Sequence, residues 1–274
     1  MATAMKFAIC NEIFKEWNDI ARTFSYVKET GYDGIELAPF TFSQYVTDIS
    51  PETRKEIVKR AREVDLDVIG IHWVFVGPEG LHINHPDKEH RDRAAQYLVD
   101  LARFCGDVGG HVMIFGSPKQ RNVHESLTYA QAFEYTAAVF EQALPACEKH
   151  GVTICMEPLT HLETNFCTSA ADTVRLIERV NHPKFRLLLD TKAMTFEEED
   201  RPALIRKYAK YLAHYHANDE NMNGPGFGDV DFGPIFQALR DIDYKGYMSV
   251  EVFKFELGPE TIATKSLEYL KKFA

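Results

Sequence analysis

The sequence has no excess of basic residues and no long apolar run. Lys and Arg number 31 against 41 Asp and Glu, which gives a formal net charge of -10 at pH 7. A nucleic-acid surface needs a basic stripe to neutralise phosphates. A membrane-spanning helix needs roughly 20 consecutive apolar residues, and no run in the sequence approaches that length. We therefore expect neither a nucleic-acid nor a membrane partner.

Paired cysteines are also lacking. The chain has five cysteines, an odd number, and none of them forms a C-x-x-C pair. This pattern fits a reducing cytosol better than a disulfide framework. Residues 1–5 lack the basic end and apolar run of a signal peptide, so the sequence predicts a cytoplasmic protein.

No low-complexity segment or shift in composition divides the chain. It has 274 residues, of which 45% are hydrophobic and 26% charged, values typical of one globular domain with a large core. We therefore treat residues 1–274 as a single domain. A homo-oligomer remains open, since no interface signature is visible.

Strand-like and helix-like stretches alternate from end to end. The predicted strands are 6–10, 34–37, 67–72, 111–115, 153–159, 185–190, 212–216 and 247–252. The predicted helices are 19–30, 50–64, 89–105, 129–150, 169–180, 202–211, 234–240 and 259–273. Two local signals support these bounds: Ser50-Pro51 is a helix start and Gly31 is a helix stop.

Eight strands, each followed by a helix, are typical of a (β/α)₈ TIM barrel, which usually has about 250 residues. A doubly wound open sheet shows the same alternation and is the alternative. The count of eight favours the barrel, and so does the presence of polar donors at several strand ends.

Four of the predicted strands end in a potential metal ligand: Glu157, Asp190, His216 and Glu251. If the strands run parallel, these donors converge at one end of the sheet. Three carboxylates and one imidazole suit a divalent ion, with Mn²⁺ first and Mg²⁺, Co²⁺ or Zn²⁺ as alternatives.

Other titratable residues fall near the same end. Glu36 and His72 also close their strands; Glu36 is either a substrate ligand or a hydrogen-bond acceptor in the barrel floor. His72 either binds a substrate hydroxyl or is a hydrogen-bonded core histidine. His214 shares the face of His216 one layer deeper, where we expect a buried, hydrogen-bonded group. His111 begins its strand and should lie at the opposite end.

Several motifs occur in an order that resembles the xylose-isomerase-like sugar isomerase and epimerase superfamily, which includes ketose 3-epimerases, hydroxypyruvate isomerase and inosose dehydratase. The motifs are Met156-Glu157-Pro158-Leu159, Leu189-Asp190-Thr191, His214-Tyr215-His216, Gly228-Asp229-Val230-Asp231-Phe232 and Val250-Glu251. The resemblance spans nearly the whole chain and implies a TIM barrel with one divalent metal ion.

By this resemblance, the metal ligands are Glu157, Asp190, His216 and Glu251. Glu157 and Glu251 are also the pair that carries the proton in the epimerases. Glu163 falls where those enzymes have a further carboxylate close to the ligands, and we assign it to substrate binding.

The sequence departs from the epimerase pattern at two positions. Ala193 stands where those enzymes usually have a substrate-binding His, and Met222 where they usually have an Arg. These differences indicate an altered substrate but leave the metal ligands in place. Lys192, next to Ala193, is a candidate cationic donor to a substrate oxygen, against the alternative of a solvated residue at a helix start.

The candidate metal ligands, taken with this resemblance, imply an enzyme that acts on a small polyhydroxylated carbonyl compound. Moving the proton of the carbon next to a carbonyl requires stabilisation of an enediolate, and a divalent ion bound to two adjacent oxygens supplies the charge. Glu157 and Glu251 would act as base and acid, giving isomerisation or epimerisation. The alternatives are a lyase or dehydratase of a keto-sugar, 3-keto-glycoside or inosose, and a sugar-binding barrel or accessory subunit without turnover.

Overall fold

Eight parallel strands close into a barrel in the computed structural model, which describes residues 5–274. Each strand pairs with the next in sequence, and the first pairs with the eighth. This closed barrel confirms the predicted TIM barrel and excludes the doubly wound open sheet. The strands are Lys6–Cys10 (β1), Gly34–Leu37 (β2), Asp67–Ile71 (β3), Val112–Phe115 (β4), Thr153–Met156 (β5), Phe185–Asp190 (β6), Leu212–Ala217 (β7) and Tyr247–Val250 (β8).

A helix follows each strand. The helices are Ile20–Thr30 (α1), Pro51–Glu63 (α2), Lys88–Asp107 (α3), Tyr129–His150 (α4), Ala170–Val180 (α5), Arg201–Lys207 (α6), Phe232–Asp241 (α7) and Pro259–Leu270 (α8). Ser50 caps α2 by accepting a hydrogen bond from the backbone N–H of Thr53, as the sequence predicts. Within residues 5–274, none of the helices has the length and apolar character needed to cross a membrane.

Several helix boundaries differ from the prediction by one to four residues, and two of these differences have a visible cause. Helix α7 begins at Phe232, ahead of the predicted Pro234, because the side chain of Asp231 caps it by accepting from the N–H of Gly233. Pro234 then lies in the first turn, where no intrahelical N–H bond is lost. Helix α6 ends at Lys207 instead of Tyr211, since the following residues form a turn that leads directly into β7.

The acidic segment 197–200 lies just before α6. Asp200 is the cap of that helix and accepts from the N–H of Ala203. Glu197 accepts from the N–H of Ala170 at the start of α5. These acidic side chains therefore stabilise helix starts from outside the helix.

The barrel interior is apolar toward one end and polar toward the other. Val112, Ile114, Cys155 and Leu188 form a small apolar cluster inside it, while the main core lies between the sheet and the helices. The exposed His111 has its ring 6.4 Å from that of Tyr247, the first residue of β8. It therefore lies at the amino-terminal end of the strands, as predicted. The polar end is the carboxyl-terminal one.

Candidate active site

Asp190, His216 and Glu251 form a compact group at the carboxyl-terminal end of the barrel. Their candidate ligand atoms all lie within 4.8 Å of one another, and all three side chains are buried. His216 Nδ1 is 3.0 Å from Glu251 Oε2. The strand pairing explains the convergence, because Asp190 on β6 lies opposite His216 on β7.

Both oxygens of Asp190 are oriented by neighbours. The N–H of Ala193 donates to Oδ1 at 2.7 Å, and the amide of Asn218 donates to Oδ2 at 2.6 Å. Asn218 in turn accepts from the N–H of Lys192 at 2.8 Å. Asn218 was not predicted as a site residue, although it follows His216 closely at the end of β7.

Glu36 lies beneath His216 and fixes its orientation. His216 Nε2 is 3.2 Å from Glu36 Oε1, and His214 Nε2 is 2.8 Å from Glu36 Oε2. This leaves His216 Nδ1 facing Glu251, the arrangement in which an outer carboxylate orients a metal-binding imidazole. The complete burial of Glu36 favours the barrel-floor acceptor over direct substrate contact. His214 is the buried, hydrogen-bonded neighbour that the sequence predicts.

Glu157 lies outside the 4.8 Å group but beside it. Its carboxylate covers Gly116 so closely that a Cβ on that glycine would fall 1.9 Å from Oε2. Any larger residue at position 116 would displace Glu157. Burial raises the pKa of Glu157 well above its ordinary value, and the charges of Glu251 and Asp190 raise it further. The four predicted ligands therefore surround one region.

The carboxylates differ in their affinity for protons. Burial, together with the charge of Glu251, raises the pKa of Asp190 to about 6. Burial alone would also raise the pKa of Glu251, but the charge and hydrogen bond of His216 hold it below its ordinary value. Carboxylates held this close together in a buried site repel one another. A bound divalent cation would offset that repulsion, so the donor set fits such an ion.

His72 is paired with Glu12, which was not predicted as a site residue. His72 Nε2 lies 2.7 Å from Glu12 Oε2, and both side chains are buried. His72 Nδ1 is 3.8 Å from Glu36 Oε1. This placement favours the hydrogen-bonded core histidine over a sugar ligand. Glu12 follows β1 directly, and its position in a short 3₁₀ segment gave no sequence signal.

Trp73 forms an aromatic wall together with Phe40 and Phe253. Its ring stacks between theirs, with centroids 5.7 Å from Phe40 and 6.1 Å from Phe253. The indole N–H donates to Glu251 Oε1 at 2.7 Å. Trp73 has a φ of 49°, a left-handed conformation that is uncommon for a bulky residue and often marks a functional position.

Lys192 and Glu163 form an ion pair on the same face. Lys192 Nζ lies 2.6 Å from Glu163 Oε1 and 4.6 Å from the centre of the Phe253 ring. Although burial lowers the pKa of Lys192, the negative charges of Asp190 and Glu163 raise it overall. The pair adjoins both the aromatic wall and Asp190, while substrate contact by either residue stays a prediction.

Arg121, which lies in the loop after β4, does not face the solvent. Its guanidinium is fully buried and donates to the carbonyls of Glu157 at 2.7 Å and Phe115 at 2.9 Å. It therefore fastens together the ends of β4 and β5 and supports the backbone of Glu157.

Comparison with known proteins agrees with this geometry. The sequence profile of the family described as "Xylose isomerase-like TIM barrel" matches residues 24–273. A "Probable ketose 3-epimerase" from Synechocystis sp. is 26% identical over 243 residues, covering 85% of this chain and 78% of that protein. An "L-ribulose 3-epimerase" from Mesorhizobium japonicum is 26% identical over 254 residues, covering 91% and 80%.

A solved structure shows the same fold. The apo form of a 3-keto-D-glucoside 4-epimerase from E. coli superposes with a TM-score of 0.85 at 21% identity, over 98% of this chain and 100% of that one. The resemblance inferred from the sequence motifs is confirmed by the family match.

Proposed function

Because the chain belongs to the xylose isomerase-like TIM-barrel family and is a sugar isomerase or epimerase, we propose that it moves a proton next to a carbonyl by means of Glu157 and Glu251. The observation that carries the proposal is that both carboxyls are buried at the carboxyl-terminal end of the barrel, near enough for the charge of Glu251 to act on Glu157. The pKa of Glu157 is raised and that of Glu251 is lowered. Two carboxyls whose environments separate their pKa values are suited to act as acid and base.

In this assignment, ionised Glu251 is the base. The indole N–H of Trp73 holds one of its oxygens, so the carboxylate is oriented before the substrate arrives, while its other oxygen faces His216 Nδ1 in the metal-free site. Glu157 is the carboxyl that returns a proton to the opposite face of the carbon or to its neighbour. Arg121 donates to the backbone carbonyl of Glu157, and the lack of a side chain at Gly116 leaves room for the Glu157 carboxylate. Together these two residues keep Glu157 directed at the same region.

A divalent ion is part of the proposal. Asp190, His216, Glu251 and Glu157 would hold it, and three carboxylates with one imidazole suit Mn²⁺ first, with Mg²⁺, Co²⁺ and Zn²⁺ as alternatives. When bound, such an ion stabilises the negative charge that develops on adjacent substrate oxygens. Lys192 and Glu163 would then bind hydroxyls farther from the reacting carbon.

The test is proton exchange with solvent. Mn²⁺-loaded protein is incubated in D₂O with a ketohexose and, separately, with a 3-keto-glycoside, and deuterium at the carbon next to the carbonyl is measured by mass spectrometry. Glu157→Gln and Glu251→Gln should each lower the exchange rate by about 10²–10⁴-fold. Glu125→Gln, an exposed change in the loop after β4, is the matched control.

Two results would contradict the proposal. Wild-type exchange that persists in both Gln variants would remove the two carboxyls from the reaction. Release of the aglycone from the keto-glycoside without exchange into the remaining substrate would indicate elimination in place of epimerisation.

The location of the protein is a separate proposal. The five cysteines are all free and buried, which fits a reducing compartment. We propose a cytoplasmic location, which cell fractionation would test, and recovery of the protein outside the cell would contradict it.

A further inference from the structure

A second group of buried side chains that can bind a metal lies at the carboxyl ends of β1 and β3. Cys10 ends β1, Glu12 lies in the 3₁₀ segment that follows, and His72 comes directly after β3. One candidate ligand atom from each of the three lies within 4.8 Å of the other two. Each of these side chains is buried. None of the three is among the four ligands proposed above for the first ion.

The contact between Glu12 and His72 resembles a contact between two ligands of the first ion. His72 Nε2 lies 2.7 Å from Glu12 Oε2, and His216 Nδ1 lies 3.0 Å from Glu251 Oε2. The other oxygen of Glu12, Oε1, is buried and has no hydrogen-bond partner within residues 5–274. Buried polar atoms of folded proteins nearly always have a partner, and a cation would provide one here.

Glu36 is placed to orient the histidine of this group as well as that of the first ion. Its Oε1 lies 3.8 Å from His72 Nδ1 and 3.2 Å from His216 Nε2. The His72 ring therefore has one nitrogen directed at Glu12 and the other at a second carboxylate. Metal-binding histidines are usually oriented in this way, with the nitrogen that does not bind the ion facing a carboxylate.

The thiol of Cys10 lies close to two buried carboxylates. Cys10 is the pairing partner of Glu36 in the register of β1 and β2. Their candidate ligand atoms, together with one of His216, also lie within 4.8 Å of one another. Two carboxylates and a thiol brought together away from water favour a cation. Thiolate, imidazole and carboxylate are the ligands of Zn²⁺, whereas Mn²⁺ and Mg²⁺ prefer oxygen ligands.

We propose that Cys10, Glu12 and His72 bind a second divalent ion beside the first site, and that this ion is Zn²⁺. Three protein ligands leave the fourth position of a tetrahedral zinc ion open. The ion would hold His72 in place and, through the chain, the adjacent Trp73, whose indole N–H donates to Glu251. Binding of the second ion does not require the proposed roles of Glu157 and Glu251, so the inference goes beyond the proposed function.

Co²⁺ distinguishes the two sites, because only the second site contains sulfur. A cobalt–thiolate bond gives a charge-transfer absorption band in the near ultraviolet, which oxygen and nitrogen ligands do not give. Metal-free protein is titrated with Co²⁺ at about pH 8, so that the ligands can lose their protons. We expect the wild type to develop this band, and added Zn²⁺ to abolish it by displacing Co²⁺.

Three variants locate the band. Cys10→Ser should lose it. Cys155→Ser should keep it, because Cys155 is a buried cysteine of the apolar cluster inside the barrel. Asp190→Asn should also keep it, because Asp190 is a ligand of the first ion only. Circular dichroism and thermal unfolding show whether each variant is folded.

His72→Gln tests the same site without changing the thiol. It should lower the Co²⁺ affinity measured from the band by at least about 10–100-fold, the effect of losing even an outer partner of a ligand. Absence of the band in the folded wild type would overturn the inference. So would a band that persists in Cys10→Ser, an equal loss in Cys155→Ser, or an unchanged affinity in His72→Gln. A Cys10-dependent band in a protein that exchanges no sugar proton would support the second site and overturn the proposed function.

Discussion

Trp73 and Glu251 are 178 positions apart in sequence, yet the indole N–H of one donates to Oε1 of the other at 2.7 Å. The stack of Phe40, Trp73 and Phe253 holds the indole in place. The other oxygen of Glu251 lies 3.0 Å from His216 Nδ1. Both oxygens of the proposed base are therefore oriented by aromatic rings that are themselves packed.

Replacing Trp73 by Phe tests this orientation, because the ring stack is kept and only the N–H donor is lost. A hydrogen bond to a charged group contributes about 1.5–3 kcal/mol, so kcat should fall by about tenfold or more. Loss of the donor should also raise the pKa of Glu251 and move the acid limb of the pH–rate profile upward. Trp17→Phe, the same change at the other tryptophan, is the control; an unmoved acid limb in Trp73→Phe would refute the role.

Glu36→Gln should weaken metal binding by about 10–100-fold, the usual effect of losing an outer carboxylate that orients a ligand histidine. Mn²⁺ affinity by calorimetry is the measurement. Glu12→Gln is the matched control, because Glu12 is equally buried but pairs with His72 in place of His216. An equal loss in both variants would assign the effect to packing of the whole layer.

Metal binding should become stronger as the pH rises. The pKa of Asp190 rises from 3.8 to about 6 on folding of the metal-free protein, because of burial and the charge of Glu251. The folded state binds this proton more tightly than the unfolded state does. The stability that Asp190 contributes is therefore fully present below pH 3.8 and lost as the pH rises through about 6.

A metal ion needs the ionised carboxylate, so Mn²⁺ should raise the Tm more at about pH 8 than at about pH 5. Thermal unfolding with and without Mn²⁺ measures the difference. In Asp190→Asn the dependence should be reduced but not abolished, because Glu157, whose pKa is also raised, must lose its proton to bind the ion as well. An equal rise in Tm at both pH values for the wild type would contradict this account.

Arg121→Met should destabilise the fold, since it leaves two buried carbonyls, those of Phe115 and Glu157, without their donor. We expect a loss of about 3 kcal/mol in the free energy of unfolding, measured by urea denaturation of the metal-free protein. Arg91→Met is the control, because Arg91 also donates to two carbonyls but is only half-buried; its loss should be below about 1 kcal/mol. Similar losses in the two variants would show that burial does not set the cost.

Lys192→Met should raise KM for the sugar with a smaller effect on kcat, because Lys192 adjoins the site but lies away from the proposed base and acid. Its ammonium pairs with Glu163 and lies over Phe253, so the variant also leaves Glu163 without its ion pair. Steady-state kinetics separate the two constants. A fall in kcat alone would place Lys192 in the chemical step instead.

The sequence predicts the closed barrel and the convergence of Asp190, His216 and Glu251 because both depend on local periodicity. All strands of a parallel sheet run in the same direction. Polar donors that end the apolar runs therefore lie at the same end of the barrel. The partners of these residues were not predictable in the same way. Glu12 and Asn218 lie in segments without periodicity, and their contacts depend on how loops from different strands pack.

The two alternatives left open for Glu36 and His72 illustrate the same limit. Their positions at strand ends are readable from the sequence, but burial and pairing with His216 and Glu12 follow from the three-dimensional arrangement of several strands. Helix ends were displaced by a few residues where a cap such as Asp231 competes with the apolar pattern.

The separation between polar donors at strand ends and the loops that follow them has an evolutionary consequence. The register of β5 to β8 fixes the donors, and that register is maintained by backbone pairing that tolerates little change. The loops accept substitution and insertion far more readily. A lineage with this architecture can acquire new substrates by altering the loop tips while the inherited reaction at the strand ends stays the same.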